Sequence, residues 1–449
     1  MDKTKFIQQP DGYLNRVPVL QFVLVTLLFP LWGAAASLND ILITQFKAVF
    51  ELSNVASAFV QSAFYGGYFL IAIPAATIIK KTSYKLAIII GLLCYIMGCF
   101  IFFPASHMAT YGMFLVAIFG IAIGLSFLET SANTYTTLLG PRESATKRIN
   151  LAQLFNPIGN IVGILLGKYF VFTDGESSLQ EQLAGMSPAE AKQFSLEMLQ
   201  RTLVPYKIIL MILLAVLILF LIVKFPKAKP ELPKKTKKQV DLGETLKYLS
   251  KNVPFKKGIL AQFIYMGLQT TVWSFTIRLA LDVNPHVNER FASNFMIYSF
   301  IAFFIGRLLA NILMARFKPI FVLALYSVIG FILLAYTALV PNMSAVYGAV
   351  FVSVLFGPCW PTIYGRTVEM VENKYRETAG AFLVMAIIGG AVIPPIQGLF
   401  TDLFGSLQLS FVVPMCCFLY LAYYFYKENR ASSNKNVEED STIKQSIVQ

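Results

Sequence analysis

Charge is scarce in this 449-residue sequence. Asp, Glu, Lys and Arg make up 14% of it, against 56% hydrophobic residues, and the mean hydropathy is +0.64. A soluble domain carries about 25% charged residues, so this chain cannot clothe a water-facing surface and most of it must face lipid. A cytosolic enzyme, a secreted disulfide scaffold and a disordered protein are excluded together. Histidine is nearly absent: His107 and His286 are the only two, both near the ends of apolar runs. The five cysteines (Cys94, Cys99, Cys359, Cys416, Cys417) lie mostly within apolar runs and show no metal-ligand spacing. No His, Cys and carboxylate cluster exists, so no metal is expected. There is no phosphate-binding Gly-Lys loop, no nucleophile-base constellation, no chain of intramembrane Arg residues and no filter-like Gly-rich loop. ATP hydrolysis, enzymatic catalysis and voltage sensing are therefore not expected, nor is a cofactor other than a coupling proton.

What is present is length and apolarity. A spanning helix needs about 20 predominantly apolar residues. Twelve stretches qualify, over 18–46, 53–79, 84–104, 109–139, 148–172, 203–224, 257–282, 290–314, 319–339, 344–366, 377–400 and 405–426. Their continuous apolar composition favours helices over barrel strands, which would alternate in short pieces. The first run is too long for a signal-peptide core and no cleavage site follows it. The expected fold is all-α and integral to the membrane.

The few ionisable residues are biased towards Lys and Arg, 37 against 24 acids, a net charge of +13. In a soluble protein that would suggest nucleic acid; here the basic residues sit between apolar runs, where they fix orientation. Lys80, Lys81 and Lys85 occupy one loop, Arg142, Lys147 and Arg148 another, and segment 225–257 holds ten Lys against Glu231, Asp241 and Glu244. All three fall on one side. The opposite segment 173–202 has Lys192 and Arg201 against five acids. Both termini are therefore expected in the cytoplasm of a cell-membrane protein.

The Pro- and Lys-rich segment 225–256 divides the chain into bundles over 18–224 and 257–427, flanked by cytoplasmic ends 1–17 and 428–449. The linker reads as a solvated loop with one surface helix, and the polar tail as disordered. Spans eight and nine repeat the plan of spans two and three, an aromatic-rich helix, a short basic turn and a helix ending near Pro. Such parallel halves suit a transporter with its substrate near the midplane between them.

Polar groups in hydrocarbon are costly, so each is a functional hypothesis. Asp40 in the first span and Glu129 in the fourth have no Lys or Arg in the core of their own spans. A lone carboxylate there costs ~2.5–3.5 kcal/mol unless it is protonated or paired, a property suited to proton coupling. The alternative is that either one only bonds a neighbouring helix. Asn133 lies one turn from Glu129 on the same face. On the fifth span Gln153, Asn156 and Asn160 form a stripe, with Pro157 loosening the backbone and Gly159, Gly163 and Gly167 permitting close packing. On the seventh, Gln262, Gln269 and Trp273 lie at i, i+7 and i+11, with Tyr265 beside them. Amides offer donors and acceptors to hydroxyls, and a ring stacks on C–H edges: sugar-binding chemistry, although interhelical bonding and interfacial anchoring use the same residues. Pro358, Trp360, Pro361 and Tyr364 in the tenth span, and Gly389, Gly390, Pro394 and Pro395 in the eleventh, mark helix breaks that line cavities or bend as gates. Arg307, with Arg316 and Lys318 beyond it, reads as a conformational latch.

Several strings together resemble the fucose permease family of the major facilitator superfamily. They are Leu38-Asn39-Asp40; Gln61 to Phe69 (QSAFYGGYF); Leu128 to Asn133 (LETSAN); Asn150 to Pro157 (NLAQLFNP); Ala261-Gln262-Phe263; Gln269 to Ser274 (QTTVWS); Phe304 to Arg307; and Ile387 to Gly390. The resemblance spans nearly the whole chain. It implies twelve helices in two pseudo-symmetric bundles and proton-driven symport of a hexose or 6-deoxyhexose. The family's coupling acids fall on Asp40 and Glu129, and a substrate-contacting amide on Asn156. Members take L-fucose, glucose and galactose, mannose or N-acetylhexosamines; L-fucose is favoured. The superfamily's usual signature between spans two and three is degraded to Lys80-Lys81-Thr82-Ser83-Tyr84-Lys85. The substrate set is then Asp40, Glu129, Asn133, Gln153, Asn156, Gln262, Tyr265, Gln269 and Trp273. The expected partners are a monosaccharide and the bilayer, with a monomer sufficing and no nucleic acid. Alternatives are an uncoupled sugar uniporter, a proton-coupled drug exporter and a non-transporting sensor.

Overall fold

The computed structural model of the chain describes residues 6–10, 12–172, 179–228, 242–284, 286–314, 316–372 and 375–448. Helices account for nearly all of it, and the one β pairing among the described residues is an isolated bridge between Gln8 and Leu14. Eleven helices are long and apolar enough to cross a membrane: Val19–Val49, Asn54–Ile79, Tyr84–Met108, Tyr111–Leu138, Leu151–Val171, Pro188–Ile222, Glu289–Met314, Pro319–Leu339, Met343–Glu369, Thr378–Phe404 and Leu409–Arg430. The twelfth expected span is the 31-residue helix Val253–Val283. It is long enough but diluted by Gln262, Gln269, Arg278 and Asp282; it is more polar because it faces the other half of the molecule rather than lipid. We number these helices as spans one to twelve in chain order, so that this one is the seventh.

The spans pack around two apolar cores. One is built from spans one to six; the other from spans seven to twelve, joined by Ile41, Ile164, Val171 and Phe172 of the first half. Large apolar side chains such as Leu93, Met97, Phe100, Met211, Ile222 and Leu339 point outwards, as a lipid-facing surface requires. In lipid the helices gain little from hiding apolar area from one another and rely on close packing instead. The contact between spans one and five is the clearest case: a Cβ added at Gly159 would meet the Pro30 carbonyl oxygen at 2.1 Å, and one at Gly163 the Ser37 hydroxyl at 2.1 Å.

Three helix breaks coincide with prolines, whereas Pro74, Pro104, Pro205, Pro394 and Pro395 stay inside continuous helices. A proline removes the bond to the carbonyl four residues back and its ring crowds that carbonyl. Span one breaks at Leu27, just after the residue four before Pro30; span five breaks at Leu154, one after the residue four before Pro157. Span ten breaks between Phe356 and Cys359, where Gly357 stands four before Pro361.

The linker contributes the short helix Leu242–Lys251, as expected; its residues 229–241 lie outside the described set. This helix packs on the second bundle, where Leu249 and Phe255 bury against Val371, Tyr375, Ala379 and Leu383. Four expectations need correction. Pro394 and Pro395 do not break span eleven; they lie inside the helix Gly389–Phe404, and the interruption is the tighter turn Ala386–Ile388 just before Gly389. The sixth helix begins at Pro188, about four turns before the apolar run, because a Ser187/Glu190 capping box starts it in the polar segment. The tail is helical rather than disordered: the twelfth helix continues to Val448, and no Gly or Pro after Pro414 interrupts it. Arg148 is not a free loop cation; it is buried, donating to the Pro141 carbonyl at 2.8 Å, the Ser144 hydroxyl at 2.6 Å and the Thr137 carbonyl, and so closes the last turn of span four.

Candidate functional site

Glu129 and Asn133 lie on the inward face of span four, one turn apart, and Tyr68 of span two lines the same space. The Gln153 amide of span five donates to the Asn133 amide oxygen at 3.2 Å. Asn160 donates to the Asn156 oxygen at 3.4 Å, and Asn156 in turn reaches the Phe29 carbonyl at 3.5 Å. The tight glycine packing described above brings this amide stripe against span one. On the opposite wall, the Trp273 indole N–H donates to the Ser353 hydroxyl at 3.1 Å, and its ring meets Phe300, Phe303 and Phe356 edge-on. Tyr265 donates to the Phe356 carbonyl at 2.9 Å. These bonds fix the ring orientations.

Between the walls lies a central cavity of about 200 Å³, where Trp32, Tyr65, Tyr68, Glu129, Asn133, Gln153, Asn156 and Asn160 face Tyr265, Gln269, Trp273, Phe303, Arg307 and Trp360. It adjoins a second space of about 400 Å³ that shares Tyr68, Glu129, Asn133, Gln153, Trp360 and Ile387 with it and runs past Thr137, Ile149 and Tyr364 towards the membrane face that carries the linker. The site therefore opens to the linker face. Acceptors, amide donors and aromatic faces converge there without a fixed metal: among the described residues no three His, Cys, Asp or Glu side chains are grouped to hold one.

Eight residues anticipated from sequence line this cavity: Glu129, Asn133, Gln153, Asn156, Tyr265, Gln269, Trp273 and Arg307. Three do not. Asp40 is 6% exposed and lies one turn beyond Ala36, on the far side of the cavity from the linker face. Its Oδ1 accepts from the Gln61 amide at 2.6 Å and from the Ser274 hydroxyl of span seven at 3.0 Å; Gln61 also receives a bond from Asn39 at 2.9 Å. In this state Asp40 is a buried junction between the two halves, not a group that touches a bound molecule. Gln262 is fully enclosed one turn from Tyr265 and lies outside the cavity lining. Arg316 is exposed at the linker-face end of span eight, whereas Arg307 is turned inwards, its guanidinium 5.1 Å from the centre of the Phe303 ring. The two arginines do not form one cluster.

Sequence reasoning passed over Gln61 and Ser274, which bond Asp40, and the buried Arg278, which donates to Ser57 one turn from Gln61. The signal was available: Gln61 and Arg278 are polar groups within spans, subject to the same cost as those singled out. Trp360 was noted only as part of a helix break, yet it stacks on Tyr364, with ring centres 5.2 Å apart and planes 6° from parallel, and lines both spaces.

The profile of the Major Facilitator Superfamily matches residues 19–387. The chain belongs to this superfamily. Within it, the chain is 36% identical to the L-fucose-proton symporter of Escherichia coli (strain K12) over 410 residues, covering 91% of this chain and 93% of that one. It is 29% identical to a glucose/galactose transporter of Brucella abortus, over 89% of this chain and 92% of that one. The crystal structure of the major facilitator transporter FucP in the outward conformation aligns with a TM-score of 0.67 and 35% identity, over 91% of this chain and 98% of FucP. An inward-facing, unoccupied bacterial homologue of the lysosomal transporter Spinster aligns with a TM-score of 0.68 at 15% identity, a likeness of fold alone. Two six-helix bundles around a central cavity are thus the family's architecture, here opened to the linker face.

Proposed function

We propose that this chain is a proton-coupled symporter that imports a monosaccharide by alternating access, with L-fucose the favoured substrate and the linker and both termini in the cytoplasm. One observation carries the reading: the two intramembrane carboxyl groups have separate surroundings. Glu129 faces the central cavity among amides and rings, while Asp40 is held between the halves by Gln61 and Ser274. Glu129, Asn133, Gln153 and Asn156 on one wall and Gln269 and Trp273 on the other bind sugar hydroxyls and a C–H face. Asp40 takes up the proton. In the outward-open state Asp40 is protonated and the sugar enters; the halves rock; sugar and proton leave through the space that opens past Thr137 and Ile149. Arg307 and Arg316 belong to the inner gate, engaged when that side closes.

The driving force is sufficient. One charge moved through 100 mV is worth ~2.3 kcal/mol, roughly fifty-fold accumulation per proton before any pH gradient. Similarity to an L-fucose-proton symporter at 36% identity supports L-fucose. The glucose/galactose transporters at 29% identity support a second reading, import of those hexoses.

The deciding experiment is pH-gradient-driven uptake into proteoliposomes, with L-fucose, galactose, glucose, mannose and N-acetylglucosamine in parallel. Accumulation of L-fucose that vanishes when the gradient is collapsed is the expected result. Equilibration without accumulation would make the protein a uniporter, and accumulation of a different sugar would reassign the substrate.

A further inference from the structure

Span two carries a polar stripe on the face turned to the second half. Asn54, Ser57 and Gln61 lie at i, i+3 and i+7, so they share one side of the helix. Each is bonded to or beside a partner in the other bundle. Gln61 meets Ser274 at 2.7 Å, and Ser57 accepts from the buried Arg278 at 3.0 Å. At the rim, the Asp402 carboxylate of span eleven accepts three bonds from the start of span two: the Asn54 N–H at 3.1 Å, the Asn54 side-chain amide at 2.7 Å and the Val55 N–H at 3.1 Å. The first backbone N–H groups of a helix have no partner within it, and that end carries partial positive charge. A carboxylate from the opposite half supplies both an acceptor and the opposite sign.

The packing agrees. Gly398 is one turn before Asp402 on the same face, and a Cβ there would lie 2.6 Å from the Asn54 carbonyl oxygen and 2.8 Å from the Val55 nitrogen. Backbone meets backbone at this point. On the linker side of Gln61 the same helix instead lines open space with Tyr68 and Ala72. The stripe therefore closes the seam between span two and the second half on the side opposite the linker, while the linker side of the same helix lines open space.

We propose that Asp402 is the latch of the outer gate, a positioning residue that caps span two across the halves when the outer mouth is closed and lets go when it opens. This rests on the alternating-access reading above. The latch touches neither sugar nor the proton-carrying groups; it sets how much of the carrier is outward-open. Because Asp402 is exposed, its loss should move the outward-to-inward ratio by about fivefold, the typical effect of an N-cap substitution, within a range of roughly twofold to thirtyfold.

The test is a pulsed electron-paramagnetic-resonance distance between spin labels at Glu51 and Phe404, in the full-length chain with its own cysteines replaced, reconstituted without sugar. Asp402→Ala should raise the long-distance population several-fold, with Asp402→Asn, which keeps one acceptor, in between. Gly398→Ala, which leaves the carboxylate intact and wedges the backbones apart, should shift it the same way. Unchanged distances in Asp402→Ala overturn the proposal, all the more if Gly398→Ala moves them, since packing alone would then hold the gate. If Asp402→Ala fails to fold, Asn54→Ala, which removes the shortest of the three bonds, decides in the same manner. Sugar uptake by the unmodified protein is measured alongside: failure there strikes the symporter reading, whereas normal uptake with unmoved distances strikes only the latch.

Discussion

Asp40 and Glu129 look alike in the sequence, each a lone carboxyl group in an apolar run, and the fold gives them different surroundings. Glu129 stands on the cavity wall with Asn133 and Gln153 beside it, reachable from the linker face. Asp40 lies between the halves, bonded to Gln61 of its own half and Ser274 of the other. A group that bridges the halves can report the state of the gate; a group on the cavity wall can report the presence of a ligand. In the mechanism proposed above, coupled transport needs both reports, and different side chains sense the proton and the sugar.

The sharpest way to break this comparison is Asp40→Asn. It should reduce gradient-driven accumulation from roughly fifty-fold at 100 mV to unity while sugar exchange across the membrane persists, a split read by comparing driven uptake with counterflow. Loss of exchange as well would mean that Asp40 also holds the sugar. Glu129→Gln tests the other arm. It removes a charged acceptor from the cavity, worth ~1.5–3 kcal/mol, so binding measured by calorimetry should weaken by about tenfold to a hundredfold, with membrane insertion intact. Full active accumulation by this variant would remove Glu129 from the mechanism. The smallest effect refines the seventh-span contribution. Gln269→Ala should raise the KM for uptake about fivefold, the loss of one neutral hydrogen bond of ~1 kcal/mol, whereas Gln262→Ala should leave KM unchanged because the side chain lies outside the cavity. Equal shifts from both would put Gln262 back in the site.

Most of the wall was legible because one physical rule finds it: hydrocarbon does not tolerate idle polar groups. Glu129, Asn133, Gln153, Asn156, Gln269 and Trp273 follow from that rule and from helical spacing. The same rule covers Arg278, but its meaning depends on Ser57, distant in sequence, and no spacing within one helix reveals a partner on another. Gln262 fails for the converse reason. At i and i+7 it shares the face of Gln269, yet the cavity ends at Tyr265, and where a cavity ends is a property of the neighbouring helices. Arg307 and Arg316, nine residues apart, were grouped by proximity in the chain; the fold turns one inwards and leaves the other exposed at the helix end.

Composition alone determined that this chain lives in a bilayer, since 14% charged residues cannot cover a wet surface. Segment lengths and the linker fixed twelve helices in two halves, because these are effects local to each segment; proline marks three breaks but not by itself, since Pro74, Pro104, Pro205, Pro394 and Pro395 lie inside continuous helices. Tertiary structure alone decided which carboxyl group meets the cavity, which face of the membrane it opens to, and that Asp402 caps a helix more than three hundred residues earlier in the chain. Those are relations between helices, and they arise only when close packing in lipid selects one arrangement of faces from the many that the same periodicities allow.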